Sequence, residues 1–118
     1  MRDKIIEELH ALEIALKKIG FKQSLIDPVM RAVESESLEL LKESLAGERL
    51  SNYFRFLHHK VGIIGEQFVD RRKTDSGEDA ARLWRHRANF QKSRIDSIMP
   101  NSEVSRALKF LIDKSFEL

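Results

Sequence analysis

Apolar side chains recur along the middle of the chain at the spacing of one face of an α-helix. From position 50 to position 68 the successive intervals are 4, 3, 4, 3 and 4, the period of a buried helical stripe. The stripe consists of Leu50, Phe54, Leu57, Val61, Ile64 and Phe68. Tyr53, Phe56 and Ile63 widen it on one side, and Gly65 and Val69 on the other. A helix that is apolar around most of its circumference is typical of the middle of a bundle, so we predict a central helix over residues 50–70.

Two helices are expected before this central one. Apolar residues at alternating spacings of four and three predict the first over residues 3–19. Gly20 is placed to end it in the left-handed conformation, with Phe21 folding back as the apolar contact of that cap. Asp27 followed by Pro28 is typical of a helix start, because aspartate accepts bonds from free amides and proline needs no partner at the first position. The second helix is therefore expected from this pair to about residue 46, after a connector over residues 22–27 with or without one helical turn.

The second half of the chain has equally clear boundaries. Ser51 is placed to cap the central helix. Residues 71–77 contain no apolar side chain and predict an exposed loop. A fourth helix is expected over 78–99, where Pro100 forces the stop. A last, shorter helix is expected over residues 103–116 from its own apolar stripe.

These elements predict an all-α fold, an up-and-down helical bundle of four main helices plus a short C-terminal helix. The chain has 118 residues, of which 42% are apolar and 34% charged. This length fits one domain, and the composition fits a folded globular chain rather than a disordered one. We therefore predict a single helical-bundle domain over residues 1–118.

One carboxylate falls on the buried stripe of the second helix. Glu36 lies in line with Val33 and Leu40, and a buried carboxylate costs free energy unless it is paired. Either Arg87 or Arg94 from the fourth helix pairs with the Glu36 carboxylate, or the second helix is irregular at this point. We favour the pairing.

Charge is unevenly distributed although the net charge is only +2. Residues 27–48 contain six acidic and two basic side chains, a net of −4, whereas residues 71–94 contain eight basic and three acidic ones, a net of +5. Opposite charges of this kind either fix the pairing of helices or present a basic face to a partner.

Several classes of protein are not supported by the composition. Without cysteine the chain has no disulfide, thiolate zinc site or thiol nucleophile. The charged N-terminal residues do not resemble a signal peptide, and no apolar run is long enough to span a membrane. We therefore expect a cytoplasmic protein that does not insert in a membrane.

A pair of histidines stands in the central helix. His58 is followed by Gly62 at the fourth position, with Val61 at the third and Lys60 one place earlier. This arrangement is similar to that of histidine-phosphotransfer domains, helical bundles in which an exposed mid-helix histidine is followed by lysine at the third position and glycine at the fourth. The resemblance implies phosphotransfer through His58 or His59. Otherwise His58 packs against a neighbouring helix and His59 is solvated.

A second candidate site is basic. The predicted loop contributes Arg71, Arg72 and Lys73, and one face of the helix over 78–99 carries further cations. Spaced cations on a helix neutralise phosphates along a nucleic-acid backbone. The candidate nucleic-acid surface consists of Arg71, Arg72, Lys73, Arg82, Arg85 and Lys92.

No enzyme class is indicated. The chain has no phosphate-binding glycine loop, no paired metal motif and no recognisable nucleophile turn, and we predict no catalytic residue, metal or cofactor. The function we expect is a non-enzymatic protein-interaction or regulatory module that binds another protein or a second copy of itself as a homodimer. Nucleic-acid binding and histidine phosphotransfer are the alternatives.

Overall fold

The computed structural model describes residues 2–43, 46–74 and 77–116, which form five α-helices and, within these ranges, no β-strand. The helices are α1 (Arg2–Ile19), α2 (Gln23–Leu40), α3 (Ala46–Lys73), α4 (Glu78–Ile98) and α5 (Glu103–Phe116). They pack around one hydrophobic core, so the predicted all-α bundle is confirmed. None of the helices in this part of the chain has the length and apolarity needed to cross a membrane.

The directions of the helices follow from contacts between them. Lys4 and Glu8 of α1 bond to Ser51 and His58 of α3, so the contacts advance along both helices together and the two run parallel. Connections of only three to five residues join consecutive helices, which requires each helix to reverse the direction of the one before it. The bundle is therefore up-and-down, as expected.

The predicted apolar stripe of α3 is buried along its whole length. None of its six members, from Leu50 to Phe68, is more than 5% exposed, and the flanking Tyr53, Phe56 and Ile63 are half-buried. The helix contacts α1, α2 and α5. However, α5 contacts α2, α3 and α4, so the short C-terminal helix is a second central element rather than an appendage.

The end of α1 forms as the sequence predicts. Gly20 has φ +110°, its N–H bonds to the carbonyl of Lys17, and the N–H of Phe21 bonds to the carbonyl of Leu16. This pair of bonds is a Schellman motif, which needs a left-handed residue that glycine supplies without strain. Phe21 folds back into the core, where its ring centre lies 4.6 Å from that of Phe68.

The predicted start and end of α2 are wrong. The helix begins one turn earlier, at Gln23, and Pro28 lies inside it. The buried side chain of Ile26 carries the core stripe back into this extra turn, and Asp27, the expected cap, instead accepts a 2.6 Å bond from the Gln23 amide. The helix ends at Leu40 rather than near residue 46, with turn structure over 41–43; residues 44–45 lie outside the described residues.

Helix α3 is longer than predicted at both ends. It begins before Ser51, whose Oγ accepts a 3.0 Å bond from Lys4 of α1 instead of capping α3. The expected exposed loop over 71–77 is wrong for its first three residues, which form the last turn of α3. The reason is Arg71, which is only 6% exposed and donates a 3.2 Å bond from Nε to the carbonyl of Phe116 in α5.

The last two helices have nearly the predicted bounds. Helix α4 ends at Ile98, one residue early, and α5 matches the expected range. Trp84, Ala88, Gln91 and Ile95 are buried along one face of α4, whereas Ile98, on the same side of the helix, is 51% exposed. The side chain of Ile98 points towards the flank of α4 that faces away from α5.

The carboxylate of Glu36 joins three helices. Its Oε1 accepts a 3.3 Å bond from the Tyr53 hydroxyl of α3, and its Oε2 accepts from the Ser102 hydroxyl and, at 3.1 Å, from the Val104 N–H of α5. The first turn of a helix has free amides and the positive end of the helix dipole, and both favour a carboxylate there. Glu36 therefore fixes the start of α5 against α2 and α3.

The partners expected for Glu36 are wrong. The guanidinium of Arg87 lies 4.7 Å from the centre of the Trp84 ring, and Arg94 is exposed. Helix α2 also remains regular through position 36, so the alternative of an irregular helix is wrong as well. The carboxylate is satisfied by neutral donors instead of an arginine.

Two glycines of α3 form a matched pair for mutation. A Cβ added at Gly65 would lie 2.6 Å from Cδ1 and 2.9 Å from Cγ1 of Ile19 in α1, whereas one added at Gly62 meets nothing within 4 Å. Alanine is favoured over glycine inside a helix by about 1 kcal/mol, and overpacking costs about 1–3 kcal/mol. We expect Gly62→Ala to raise the free energy of unfolding by about 1 kcal/mol and Gly65→Ala to lower it by about 1 kcal/mol in denaturant titrations. Equal stabilisation by both would contradict the close approach of α1 to α3.

Tyr53 gives the fold a defined response to alkaline pH. Burial, and then the charge and hydrogen bond of Glu36, raise the pKa of Tyr53 well above its ordinary value of 10.0. The folded state thus keeps a proton that the unfolded chain releases, so this contribution to stability is complete below pH 10 and is lost as pH rises above it. Tyr53 is the only tyrosine in the sequence. We expect its phenolate absorbance to appear only as helical circular dichroism is lost, and Tyr53→Phe to remove this part of the alkaline destabilisation. A phenolate signal near pH 10 with full helicity would contradict the buried contact.

Candidate binding surfaces

The two histidines of α3 have different surroundings. His58 is half-buried on the flank facing α1, and its Nε2 lies 2.8 Å from Oε2 of Glu8. His59 is exposed. His58 therefore packs against a neighbouring helix, which is α1.

The residues that follow the histidines divide between two sides of α3. Gly62 is exposed, with open space around it. Lys60 is only 4% exposed and makes a 3.5 Å bond from Nζ to Oε1 of Gln91 in α4. The lysine therefore lies on the α4 side, away from His58 and Gly62, and does not share a surface with them.

The three basic residues at the end of α3 also point in different directions. Arg71 is buried against α5. The guanidinium of Arg72 lies 5.3 Å from the centre of the Phe68 ring, while Lys73 is exposed. The three cations do not form one continuous surface.

The basic residues proposed on α4 are partly engaged as well. Arg82 and Arg85 are exposed, but the Nζ of Lys92 lies 2.6 Å from Oδ1 of Asp113 in α5. Arg71, Arg85 and Lys92 line one cleft of about 330 Å³ between α3, α4 and α5, together with Asp113. The structure thus brings three of the six candidates together, one of them already paired with an acid.

A surface on α4 that combines apolar and basic side chains was not identified as a site from the sequence. Leu83, Phe90 and Ile98 are 44%, 56% and 51% exposed, and the exposed Arg87 and Arg94 lie between them. The intervals of 4, 3, 4 and 4 place all five on one flank of the helix. We call these five residues the α4 strip.

The sequence contained a signal for the α4 strip. Residues 80–95 include five arginines or lysines and no acidic residue, and two of these arginines are in line with Leu83 and Phe90. The predicted pairing of Arg87 or Arg94 with Glu36 places these arginines in the core instead of on the surface. That pairing requires a buried partner where the helix has an open flank.

The position of α4 at the edge of the bundle explains why the strip is open. The helix is held on its other flank by α5, through Lys92 with Asp113 and Asp96 with Lys109, at 2.6 and 2.7 Å. Among the described residues, no ion pair joins α4 to the acidic α2. Burial, and then the charge of Arg94, lower the pKa of the Lys60 ammonium below its ordinary value.

The acidic and histidine side chains do not gather into a ligand set. Over residues 2–43, 46–74 and 77–116, no group of three or more of them is arranged to hold a metal ion.

The different roles of the basic residues can be tested with two substitutions. Arg71→Ala removes a buried side chain and its bond to the Phe116 carbonyl, and hydrogen bonds from charged donors contribute about 1.5–3 kcal/mol. We expect this change to lower the free energy of unfolding by about 2 kcal/mol, whereas the control Arg82→Ala, on an exposed face, should change it by less than about 0.5 kcal/mol. Equal effects in denaturant titrations would show that Arg71 is a surface residue like Arg82.

Comparisons of the chain with protein-family models, with curated proteins and with solved structures returned no match. What this chain binds must therefore be inferred from its surface chemistry.

Proposed function

We propose that the chain is a non-enzymatic protein-interaction module that binds an acidic, amphipathic helical segment of another protein through the α4 strip. The observation that carries this proposal is the exposure of Leu83 and Phe90 in line with Arg87 and Arg94. As part of the same proposal the module acts in the cytoplasm, a setting that suits a chain without cysteine.

The composition of the strip suits a protein partner. Interfaces are enriched in aromatic residues and arginine, and a few such residues supply most of the binding energy. Leu83 and Phe90 are two helical turns apart, about 10 Å along the axis. That distance matches the spacing of apolar side chains at positions i and i+7 of a partner helix, the usual pattern of helix-in-groove recognition.

The charge of α4 argues for acidic residues on the partner. Five basic and no acidic residues occupy positions 80–95, and only Lys92 among them has an acidic partner in the described part of the chain. Acidic side chains beside the apolar stripe of a ligand helix would pair with Arg87 and Arg94 and speed the encounter.

A second copy of the chain is a poorer occupant of the strip. A two-fold homodimer places the same patch of each copy against itself, so Arg87 and Arg94 would face their own counterparts. Like charges across an interface are unfavourable. A homodimer through the α4 strip is therefore one of the outcomes that the binding experiment must distinguish.

Nucleic acid is the competing ligand, and its support lies in the exposure of Lys73, Arg82 and Arg85. Arg71 is buried and Lys92 is paired with Asp113, while Arg72 is exposed with its guanidinium beside the Phe68 ring. An exposed phenylalanine such as Phe90 also stacks on unpaired bases, so a single-stranded oligonucleotide belongs in the same experiment.

The test uses three labelled probes and fluorescence anisotropy. One is a helical peptide with leucines at i, i+3, i+4 and i+7 and flanking glutamates, the second has lysines in place of the glutamates, and the third is a single-stranded oligonucleotide. We expect only the acidic peptide to bind, with an affinity that falls as salt is raised. Phe90→Ala should weaken it about tenfold or more, as expected for an interface hot spot, and Arg87→Gln with Arg94→Gln should weaken it further.

Matched controls lie on other helices. Ile14→Ala removes an isoleucine that is 50% exposed on α1, and Arg31→Gln removes an exposed arginine of α2; neither should change the affinity. Equal binding of the lysine peptide, tighter binding of the oligonucleotide, or self-association that Phe90→Ala abolishes would each overturn the proposal.

A further inference from the structure

A second cleft, separate from the α4 strip, opens at one end of the bundle. It has a volume of about 400 Å³ and lies where the turn between α1 and α2 meets the last turns of α3 and α5. Small-molecule sites in proteins are concave, mostly apolar and about 300–1,000 Å³ in volume. The cleft is at the small end of that range.

The floor of the cleft is aromatic. Phe21 and Phe68 are almost fully buried and pack ring against ring, and Phe110 of α5 is 45% exposed at the same site. The left-handed turn at Gly20 places Phe21 there, since it directs the chain back across the end of α1. The exposed part of Phe110 provides an apolar surface for a ligand.

Cations form the rim. Lys22, Arg72 and Lys114 line the cleft, and within the described residues none has an acidic group within 4.0 Å. The guanidinium of Arg72 lies 5.3 Å from the centre of the Phe68 ring, and the Nζ of Lys114 lies 5.8 Å from that of Phe110. Aromatic faces thus hold two cations beside the apolar floor without neutralising them.

A buried hydroxyl at the same site also lacks a partner. Ser115 is 1% exposed and lines the cleft, and its Oγ makes no hydrogen bond to any residue that the structure describes. Buried polar groups are nearly always satisfied, so the Ser115 hydroxyl is an unfilled bonding group in the wall of the cleft.

We propose that this cleft binds a small anionic amphiphile, namely a free medium-chain fatty acid. The carboxylate is held by Arg72 and Lys114, and the alkyl chain lies on the floor formed by Phe21, Phe68 and Phe110. Three cations that have no acidic partner in the described part of the chain favour an anion, and guanidinium is well matched to the two oxygens of a carboxylate. The small volume and the aromatic floor favour an alkyl chain over a folded protein segment.

Calorimetric titration of the full chain with decanoate tests this inference. Decanoate should bind saturably below its micelle concentration, while decyltrimethylammonium, with the same chain and the opposite charge, should not. The double substitution Arg72→Gln with Lys114→Gln should reduce the decanoate affinity about tenfold or more, because it removes two charge-assisted contacts. The matched control Lys18→Gln with Arg31→Gln removes one exposed lysine and one exposed arginine elsewhere and should leave the affinity unchanged.

A second substitution separates binding from folding. Phe110 is partly exposed, so Phe110→Ala should preserve the unfolding midpoint closely while it weakens decanoate binding. Absence of saturable binding, equal binding of the cationic amphiphile, or an equal loss in the control double variant would overturn the proposal. Binding of decanoate that survives both Phe110→Ala and the Arg72 and Lys114 substitutions would place the fatty acid elsewhere and overturn it too.

Discussion

The carboxylate of Glu36 fixes the start of α5 at the point where α2, α3 and α5 meet. Glu36 is half-buried, and a carboxylate shielded from water costs free energy unless donors satisfy it. Here the donors come from Tyr53 and from Ser102 and Val104 at the start of α5. The first turn of α5 must therefore lie against α2 and α3 at this one point. Helix α4 in turn packs on α5, so the fourth helix lies against an element whose start this carboxylate fixes.

This arrangement leaves α4 at the edge of the bundle. Ion pairs of Lys92 and Asp96 attach one of its flanks to α5, and Lys60 with Gln91 occupies its contact with α3. The remaining flank has no helix over it within the described residues. The exposure of Leu83 and Phe90 thus follows from the insertion of α5 between α2 and α4, rather than from an excess of apolar residues in the chain as a whole.

The sequence was sufficient wherever the determining interaction is local. The stripe of α3, the Schellman end at Gly20 and the bounds of α4 and α5 all depend on residues within a few positions of one another. It was insufficient where a distant residue decides. The burial of Arg71 depends on the carbonyl of Phe116, and the partners of Glu36 come from α3 and from α5. Without the Phe116 contact, the last turn of α3 is predicted as a loop. With an arginine expected as the partner of Glu36, the two arginines of the α4 strip are predicted in the core instead of on the surface.

The opposite charges of α2 and α4 do not pair these two helices with each other in the described part of the chain. Helix α5 contacts both the acidic α2 and the basic α4. The cations of α4 other than Lys92 have no acidic partner among the described residues, nor do those around the end cleft, so both groups can contact an external ligand. The two sites differ in shape: the α4 strip is an open helix flank that suits an extended partner, whereas the cleft is concave, with an aromatic floor that suits a small molecule. Similar charge on surfaces of different shape therefore favours two ligands of different size.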